Sequence, residues 1–470
     1  MNKSVLIVTP YFAPQSHAAV FRAYKLAKLL PRFGWTPYVV TTDTNYLYNE
    51  DHGLLEALPA EVKVIRARYV EPTLRGVRMA LGGKDRTFAA IKRQGAPASG
   101  LGENAPPRPG LASRVRDHVL QRWAHAPDAH WTWYGPAVSA ARRLIRLHEI
   151  PLVLTSANPY TSHRIGRTLQ REGCRWVADL RDPHTYSQNM CSPYAAVFAG
   201  QRRLEREAAL HADAVTVASS AIGMILADTY GEKVGDRTRF IPTGLDEALL
   251  PPRDGARPRP FPYLLFSGEF LPDYGSEFLQ IFAAALGRPD VKARGLKLLI
   301  VGRSDVNVPR AAPVVRRLGL EPHVEFLDHV PQAELYRLLA GAEAGVLLSA
   351  RHFRWWCLYA KLVDYLAMRK PVVAVLPDPS EARTRLSRAG LGVFLDGPHE
   401  ACVASLVDFL AGRGVRPRPV HSECDRYLAS RQVGAFVEVF ESVTGVAGAV
   451  LPDEELVPAR REGSHDPVLL

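Results

Sequence analysis

The chain has 470 residues, of which 47% are hydrophobic and 23% are charged, and its formal net charge is +11 at pH 7. This length is too great for one hydrophobic core of ordinary size, and the composition is that of a globular protein, so we expect two domains. A basic balance permits anionic partners such as nucleic acid, sugar nucleotides or an acidic membrane face, but it does not choose among them.

Cysteine usage and hydropathy indicate the cellular compartment in which we expect the protein. The five cysteines are scattered and form no C-x-x-C pair, which fits a reducing cytosol better than a secreted disulfide framework. The first residues run at once into a short apolar strand instead of a long signal region, and no stretch approaches the length of a transmembrane helix. We therefore expect a cytoplasmic protein, with any membrane contact peripheral and at the inner face of the cell membrane.

The first half of the chain alternates apolar runs with amphipathic stretches. Residues 4–9 and 37–42 predict buried strands, and residues 18–33 between them predict a helix that ends at Gly34. Residues 131–148 predict a further helix, and residues 152–156 predict the next strand. This alternation is the opening of a Rossmann-like parallel sheet.

A basic segment interrupts this pattern at residues 61–122, where arginines and lysines greatly outnumber acids. Residues 96–110 are rich in proline, glycine and alanine, which predicts a mobile loop. The segment either lies on anionic lipid or is a solvated insertion, and the sequence leaves both open. Nucleic acid is disfavoured, because the basic residues are not interleaved with a reading helix or an aromatic stacking platform.

Charged and imidazole side chains follow the predicted strands of this half. A strand that begins at residue 176 ends in D-L-R-D-P, which places Asp179, Arg181 and Asp182 at the edge where open α/β sheets bind ligands. His17 precedes the first helix, and His163 lies near the start of a later one. Each polar group is suited to a hydroxyl or phosphate, with a structural ion pair, a helix cap or a buried hydrogen bond as the alternative.

The second half repeats the alternation after a proline-rich linker at residues 251–262. One predicted strand ends at Gly268 and another at Gly302, which Arg303 follows. Residues 342–349 predict a strand, a loop with Arg354 and two tryptophans comes next, and residues 361–367 predict a helix.

Lys361 and Asp364 lie three residues apart in the first turn of that last helix, so both face one side near its partly positive N-terminus. Anions are favoured there because the first backbone N–H groups lack partners. A diphosphate and a ribose could be held together at this point, whereas an ordinary solvated pair is the alternative.

These motifs together resemble the GT-B glycosyltransferases similar to glycosyltransferase family 4, the retaining, sugar-nucleotide-dependent group. The resemblance is carried by K-x-x-D-Y-L-A followed by K-P-V, by P-Y-F-x-P near the start, by D-L-R-D-P, and by S-A-N-P-Y-T-S-H around His163. It implies an α/β chain of GT-B architecture, with two Rossmann-like doubly wound domains facing a cleft and a C-terminal helix crossing back to the first domain. The implied boundaries are an acceptor domain at 1–250 with the basic insertion at 61–122, a linker at 251–262, a donor-nucleotide domain at 263–426, a crossing helix at 427–446 and a disordered tail at 451–470.

The resemblance also implies roles for individual residues. Asp364 binds the ribose hydroxyls of the donor, and Lys361 and Arg303 neutralise the departing diphosphate without a metal or other cofactor. The remaining implied roles are donor contact for Gly268, Gly302 and Arg354, catalysis for His163, and acceptor contact for His17, Asp179, Arg181 and Asp182. Two departures stand out: Trp356 occupies the place of a second acid eight residues before Asp364, and no arginine or lysine closely follows Gly268.

The expected activity is transfer of a sugar from a nucleotide sugar to a glycan or polyprenyl-linked acceptor in cell-envelope or exopolysaccharide synthesis. Two other classes stay open at this point. One is a GT-B-shaped enzyme that acts on nucleotide sugars without transfer, such as an epimerase or a phosphorylase. The other is a non-catalytic protein-binding module whose donor site has decayed around Trp355 and Trp356.

Overall fold

Two parallel β-sheets, one in each half of the chain, organise the fold. The computed structural model describes residues 2–44, 50–81, 127–183, 185–186, 195–251, 258–349, 354–414 and 416–446. The inner strands of both sheets are buried on both faces, as expected for parallel sheets covered by helices, whereas the edge strands are half-buried or exposed.

The first sheet has seven strands in the order β3-β2-β1-β4-β5-β6-β7. Their bounds are β1 Ser4–Val8, β2 Thr36–Thr42, β3 Lys63–Ala67, β4 Leu152–Ala157, β5 Arg175–Leu180, β6 Ala214–Val217 and β7 Thr238–Phe240. All neighbouring pairs are parallel, and β1 pairs with both β2 and β4. The strand order therefore reverses between β1 and β4.

Helices cover both faces of this sheet. Their bounds are α1 Ala18–Leu29, α2 Gly53–Glu56, α3 Leu74–Leu81, α4 Tyr134–His148, α5 Thr161–Arg171, α6 Ala195–His211, α7 Ser220–Tyr230 and α8 Glu232–Asp236, with short 3-10 turns at Leu30–Phe33, Trp131–Trp133 and Glu247–Leu249. The turn after α1 ends at Gly34, whose φ of +72° lies in the left-handed region that favours glycine.

The second sheet has six parallel strands in the order β10-β9-β8-β11-β12-β13, which is the order of a doubly wound Rossmann sheet. Their bounds are β8 Tyr263–Ser267, β9 Lys297–Val301, β10 Val324–Leu327, β11 Ala344–Leu348, β12 Val372–Val375 and β13 Gly392–Phe394. Its helices are α9 Pro272–Leu286, α10 Pro289–Lys292, α11 Ser304–Arg317, α12 Gln332–Gly341, α13 Ala360–Ala367, α14 Glu381–Arg388, α15 His399–Leu410 and α16 His421–Asp425, with a 3-10 turn at Glu321–His323.

The last helix, α17 Ala429–Thr444, leaves the second domain and packs on α1 of the first. Phe436 and Phe440 are fully buried in the core beneath β1 and β4. The crossing is fixed at Leu245, whose backbone N–H donates to Tyr427 and whose carbonyl accepts from Ala429, both at 2.7 Å. The predicted crossing helix and the α/β architecture are thus confirmed.

The basic segment contains more order than its sequence predicts. Residues 63–67 form β3 and residues 74–81 form α3. The strand is hard to predict because it lies at the edge of the sheet, where four of its five residues are half-buried or exposed and no apolar run is needed. Residues 82–122 of the insertion, which include the predicted mobile loop, residues 252–257 of the linker, and the predicted tail lie outside the described residues. Among the helices in the described ranges, none combines the length and the apolar character that crossing a membrane requires.

Candidate active site

The donor crevice of the second domain opens where β8 and β11 end side by side and the strand order reverses. Gly268 follows β8 with a φ of +108°, a conformation that side-chain-bearing residues rarely adopt. A Cβ atom built on Gly268 would lie 3.2 Å from Nζ of Lys361. The structure thus brings together a glycine turn and a lysine that are far apart in the sequence.

Lys361 lies in the first turn of α13, and its ammonium is 3.9 Å from the centre of the Phe266 ring. The residue is half-buried, and burial lowers the pKa of its ammonium to about 7. No hydrogen-bond acceptor or carboxylate from the described part of the chain pairs with it. A desolvated cation without a counter-charge is a strong binding group for an anion.

The loop after β8 is braced from α11. Asn307 donates from Nδ2 to the carbonyl of Gly268 at 2.9 Å and accepts from the backbone N–H of Phe270 at 2.8 Å. Gly302 lies against the same carbonyl, and a Cβ atom there would come within 2.6 Å of it. Gly302 therefore shapes the crevice through close backbone approach, and Asn307 holds the loop rigid.

Asp364 lies one turn beyond Lys361 and is half-buried. Tyr336 on α12 donates its hydroxyl to Oδ1 of Asp364 at 3.0 Å. Burial raises the pKa of this carboxyl to about 6, although Lys25 on α1 and the Tyr336 hydroxyl oppose the shift. The carboxylate is thus costly to ionise unless further hydrogen-bond donors reach it.

The two predicted arginines of the donor site are both exposed. Arg303 caps α11, and its guanidinium pairs with Asp305 at 2.9 Å and with Glu269 at 3.9 Å. Arg354 has a left-handed φ of +58° where the described chain resumes after residue 353. Contact of either arginine with a donor stays a prediction. For Arg303, a donor phosphate would have to replace Asp305 or Glu269 as the partner of the guanidinium.

The crevice of the first domain lies where β1 and β4 end. The guanidinium of Arg181 donates from Nε to the carbonyl of Ala157 at 2.9 Å, from Nη1 to that of Ala19 at 2.8 Å and from Nη2 to that of Asn158 at 2.6 Å. These bonds tie the end of β4 to the start of α1. Desolvation lowers the pKa of Arg181, and its positive charge faces the predicted acceptor side.

His17 lies beside this arginine at the N-terminus of α1. Its Nε2 is 3.3 Å from Oε1 of Gln15, and its ring meets the edge of Tyr11 at a centroid distance of 5.0 Å. Burial, and then the nearby Arg181, lower the pKa of His17 to about 3, so its imidazole is neutral near pH 7. Asp182 is half-buried next to Arg181. His17, Arg181 and Asp182 are thus the predicted acceptor residues that the structure brings together at the crevice.

Asp179 and His163 lie instead in the core of the first domain. Asp179 accepts from Arg22 at 2.7 Å, from Thr216 at 2.7 Å and from Ser156 at 2.9 Å. Burial would raise the pKa of this carboxyl, but Arg22 and the two hydroxyls hold it below its ordinary value. Its polar contacts are therefore those of a structural ion pair, and acceptor binding by Asp179 stays untested.

His163 is 1% exposed, and its Nδ1 is 2.8 Å from the hydroxyl of Thr155. Burial lowers the pKa of His163 to about 3, so the ring is neutral near pH 7. Its Nε2 has no hydrogen-bond partner among the described residues. A ring this deep does not reach a ligand in the cleft without rearrangement, and its catalytic role stays a prediction.

Trp356, which stands where an acid is expected, joins the two domains. Its indole is 6% exposed and packs against Ala221 and Ile225 on α7 of the first domain. Its carbonyl accepts from Oγ of Ser219 at 2.6 Å. The position therefore faces the domain interface instead of the donor crevice.

A buried ion pair extends this interface. Glu381 accepts from the backbone N–H of Ser220 at 3.1 Å and from its hydroxyl at 2.7 Å, and Arg385 pairs with Glu381 at 2.9 Å. We call Trp356, Ser219, Ser220, Glu381 and Arg385 the interdomain clasp. It anchors Trp355 and Trp356, which lie in the described part of the loop before α13.

Several supporting residues escape prediction from sequence, namely Tyr336, Asn307, Lys25 and Glu381. Lys25 is 4% exposed, lies on α1 and donates to the hinge carbonyl of Gly244 at 2.6 Å. The available signal is a polar residue on the apolar face of a predicted helix, which applies to Lys25 in the helix at residues 18–33, whereas no helix is predicted around Asn307. Tyr336 and Glu381 carry no such signal, because both occur at positions where ordinary packing or capping accounts for them.

A cavity of about 560 Å³ lies elsewhere, between α17, the amino ends of β5 and β6, and the edge strand β7. Its wall mixes Arg175, Arg237 and Arg239 with Asp213, Asp236 and Glu438. Ligands of open α/β sheets bind at the carboxyl ends of the strands, so this cavity is not the candidate site.

Residues 261–395 match the family model described as glycosyl transferases group 1. This range runs from just before β8 to just past β13 and contains Gly268, Lys361 and Asp364. A search of curated proteins gave no match to the sequence.

Solved structures share the fold over almost the whole chain. Sucrose-phosphate synthase from Thermosynechococcus elongatus is 16% identical with a TM-score of 0.60, and the match covers 95% of this chain and 100% of that one. A UDP-forming α,α-trehalose-phosphate synthase from Burkholderia xenovorans is 13% identical with a TM-score of 0.58, over 94% and 100%. A glycosyltransferase from Rickettsia africae ESF-5 is 13% identical with a TM-score of 0.56, over 95% and 100%.

At such low identity these likenesses carry the architecture alone, and that architecture is the GT-B fold. The family match adds the enzyme class for the half of the molecule that holds Lys361 and Asp364. The second domain is a glycosyltransferase domain, and the chain that carries it is a transferase enzyme.

Proposed function

We propose that the protein transfers a sugar from a nucleoside-diphosphate sugar to a glycan or lipid-linked acceptor in cell-envelope or exopolysaccharide synthesis. The anomeric configuration is retained. The donor lies in the crevice of the second domain, between Gly268 and α13, and the acceptor lies against Arg181, His17 and Asp182 of the first domain.

The observation that carries this proposal is the Lys361 ammonium, half-buried beside the Gly268 turn with no counter-charge from the described chain. An ammonium in this state binds most strongly to a ligand that carries negative charge. The backbone N–H groups of Ala360 and Lys361 at the start of α13 have no acceptor among the described residues, and they point to the same preference. Asp364, one turn further on along α13, supplies an acceptor for the hydroxyls of a ribose.

In the proposed step, the bond between the anomeric carbon and the phosphate oxygen of the donor breaks. The acceptor oxygen forms a bond to the anomeric carbon from the same face, and its proton passes to the departing phosphate. Lys361 and the first turn of α13 offset the charge of the leaving diphosphate, because fixed donors in a water-poor cleft act strongly on developing charge. The step needs no cofactor and no carboxylate nucleophile, and it is therefore compatible with Trp356 in place of an acid.

The alternative of a protein-binding module with a decayed donor site finds less support. That reading takes Trp355 and Trp356 as an exposed docking loop, whereas Trp356 is buried against α7. Lys361 also lies beside the Gly268 turn, and Asp364 follows it one turn later on α13, which supports a working donor site. No feature of the crevice favours an epimerase or a phosphorylase over a transferase.

Nucleotide binding tests the proposal directly. We expect calorimetric titration of the full chain with UDP, GDP and dTDP to give micromolar binding of at least one of them. The variant Asp364→Asn should bind that nucleotide at least about tenfold more weakly, since a hydrogen bond to a charged group is lost. Asp290→Asn, on the exposed helix α10, is the matched control and should bind like the wild type. Absence of binding by all three nucleotides would overturn the proposal.

A further inference from the structure

The phenol of Tyr336 lies between two polar side chains of the second domain. Its hydroxyl donates to Oδ1 of Asp364 at 3.0 Å, and Nε2 of Gln332 donates to the same hydroxyl oxygen at 2.6 Å. The ring is 0% exposed and packs in the core between β8 and α13. A buried side chain therefore connects α12 to the residue that we assign to the ribose.

The direction of these hydrogen bonds matters. A phenol has one hydrogen to donate, and Gln332 supplies a donor to its oxygen, so that hydrogen is committed to Asp364. The committed hydrogen holds Oδ1 in place, whereas Oδ2 takes no hydrogen bond from any residue in the described ranges. Asp364 consequently presents one fixed and one open oxygen.

Two further groups interact electrostatically with this carboxylate. Lys25 faces it from α1 of the first domain, and Tyr365 follows it in the core. Neither of them forms an ion pair with Asp364 within the described chain. Tyr336 fixes the direction in which the carboxylate points, since Asp364 has no other side-chain hydrogen-bonding partner among the described residues.

We propose that Tyr336 is a positioning residue of the donor site: it orients Asp364 so that Oδ2 accepts a ribose hydroxyl, and it thereby makes the site select ribonucleotides over 2′-deoxyribonucleotides. This inference rests on the proposed function, because it takes Asp364 as the ribose ligand. A site built to accept a hydroxyl loses much of its affinity for an analogue that lacks it.

The test compares UDP with dUDP, and GDP with dGDP, on the full chain by calorimetry. The wild type should bind the preferred ribonucleotide at least about tenfold more tightly than its 2′-deoxy form. Tyr336→Phe keeps the ring and removes the hydroxyl, so it should weaken ribonucleotide binding about tenfold and bring the ratio of the two dissociation constants close to one. Gln332→Met leaves the phenol of Tyr336 in place. It should also lower the ratio of the dissociation constant of the deoxyribonucleotide to that of the ribonucleotide.

Tyr263→Phe is the matched control. Tyr263 is equally buried in the same core, and its hydroxyl donates to the backbone carbonyl of Leu338 at 2.6 Å. It should therefore show the same change in stability as Tyr336→Phe, with the nucleotide affinity and the ribose preference of the wild type.

A pH profile separates positioning from a general packing effect. Asp364 accepts a hydroxyl most strongly when it is ionised, and its pKa is about 6 with the Tyr336 hydrogen bond in place. Without that bond the pKa rises, so the loss of affinity on acidification should begin at higher pH in Tyr336→Phe than in the wild type. Titration of the nucleotide phosphate itself is common to both proteins and cancels in the comparison.

The outcomes distinguish this inference from the proposed function. If Asp364→Asn abolishes binding while Tyr336→Phe keeps the affinity, the ribose preference and the pH profile of the wild type, the positioning role is wrong and the donor site stands. If Asp364→Asn binds as tightly as the wild type, the ribose assignment and the inference fail together. Tighter binding of the deoxy forms by the wild type would also overturn the inference.

Discussion

The ammonium of Lys361 lies over the Phe266 ring, 3.9 Å from its centre, with its pKa lowered to about 7 by burial. An aromatic face stabilises such a cation by about 1 kcal/mol, which is less than an ion pair with a phosphate provides in the same crevice. The charge of Lys361 is therefore only partly compensated before a ligand arrives. Its consequences for binding and for stability can be measured separately.

Nucleotide affinity should fall as pH rises above about 7. Above that pH the free protein has lost the lysine proton that a bound diphosphate requires, so each pH unit costs up to about tenfold in affinity until the pKa of the complex is reached. Calorimetry with UDP between pH 7 and pH 9 measures this slope. Lys361→Met should bind weakly at every pH and show no such slope.

Lys297→Met is the control for this experiment. Lys297 also stacks on a phenylalanine of the second domain, with Nζ 4.3 Å from the centre of the Phe261 ring, but it lies at the amino end of β9, away from the crevice. Lys297→Met should leave the affinity for UDP and the pH dependence of that affinity unchanged. A wild-type affinity that is constant from pH 7 to pH 9 would contradict the role of Lys361.

The free energy of unfolding should rise with pH over the range in which the nucleotide affinity falls. Between about pH 7 and the ordinary lysine value of 10.5, the unfolded chain binds more protons than the folded one at Lys361, so the free energy of unfolding rises with pH. Lys361→Met removes the cost of burying the ammonium and should raise the free energy of unfolding by about 1–2 kcal/mol at pH 6–7. Urea unfolding at several pH values checks this, and a variant less stable than the wild type at pH 6 would be evidence against it.

Gly268→Ala should reduce nucleotide affinity beyond any effect on backbone conformation. The added methyl group would lie 3.2 Å from Nζ of Lys361 and would displace the ammonium. Gly173→Ala is a matched control, because Gly173 has nearly the same φ, +105° against +108°, and no atom within 4 Å of the added group. Both variants should lose about 1–2 kcal/mol of stability from the left-handed backbone. Only Gly268→Ala should bind UDP more weakly, and equal affinities of the two variants would show that the glycine is a turn residue alone.

Local patterns are enough to predict both sheets and the glycine turns, because apolar runs and helix spacing are properties of neighbouring residues. The meeting of Gly268 with Lys361 is also accessible, since carboxyl ends of parallel strands share one edge. The edge strand β3 cannot be predicted in this way, because its sequence carries no alternating or continuous apolar pattern.

The contacts that complete the site join positions far apart in the chain, and no local pattern encodes them. Tyr336 reaches Asp364 over 28 residues, and Asn307 reaches Gly268 over 39. Asp179 is an example in which the local pattern favours a different role. A charged residue at a strand end predicts ligand binding, but Asp179 forms a buried ion pair with Arg22, which is 157 residues away. Tertiary pairing decides between the two roles, and the strand-end motif is compatible with both.

Asp179→Asn and Asp182→Asn should therefore have different effects. Asp179→Asn leaves the guanidinium of Arg22 buried without its counter-charge and should lower the free energy of unfolding by about 3–5 kcal/mol. Asp182 is half-buried at the crevice, so Asp182→Asn should cost less than about 1 kcal/mol and act on acceptor-dependent turnover. Urea unfolding beside a transfer assay with a fixed donor separates the two. Equal destabilisation by both substitutions would place Asp182 in the core network as well.

Trp356→Ala tests the interdomain clasp. Removing the indole leaves a cavity against Ala221 and Ile225, which should lower the free energy of unfolding by about 3 kcal/mol. Trp355→Ala, one residue earlier, removes a less buried ring whose Nε1 contacts Tyr186 at 3.3 Å, so it should cost less than half as much. The clasp holds the loop before α13, and Trp356→Ala should therefore also weaken UDP binding.

Trp356→Glu restores an acid at the position where the resemblance to glycosyltransferase family 4 leads one to expect it. Because this position faces α7, the new carboxylate would be buried between apolar side chains and would destabilise the protein at least as much as Trp356→Ala. It should not raise the rate of sugar transfer. A stable and faster Trp356→Glu variant would instead show that the loop turns toward the donor crevice during the reaction and that the clasp opens in each turnover.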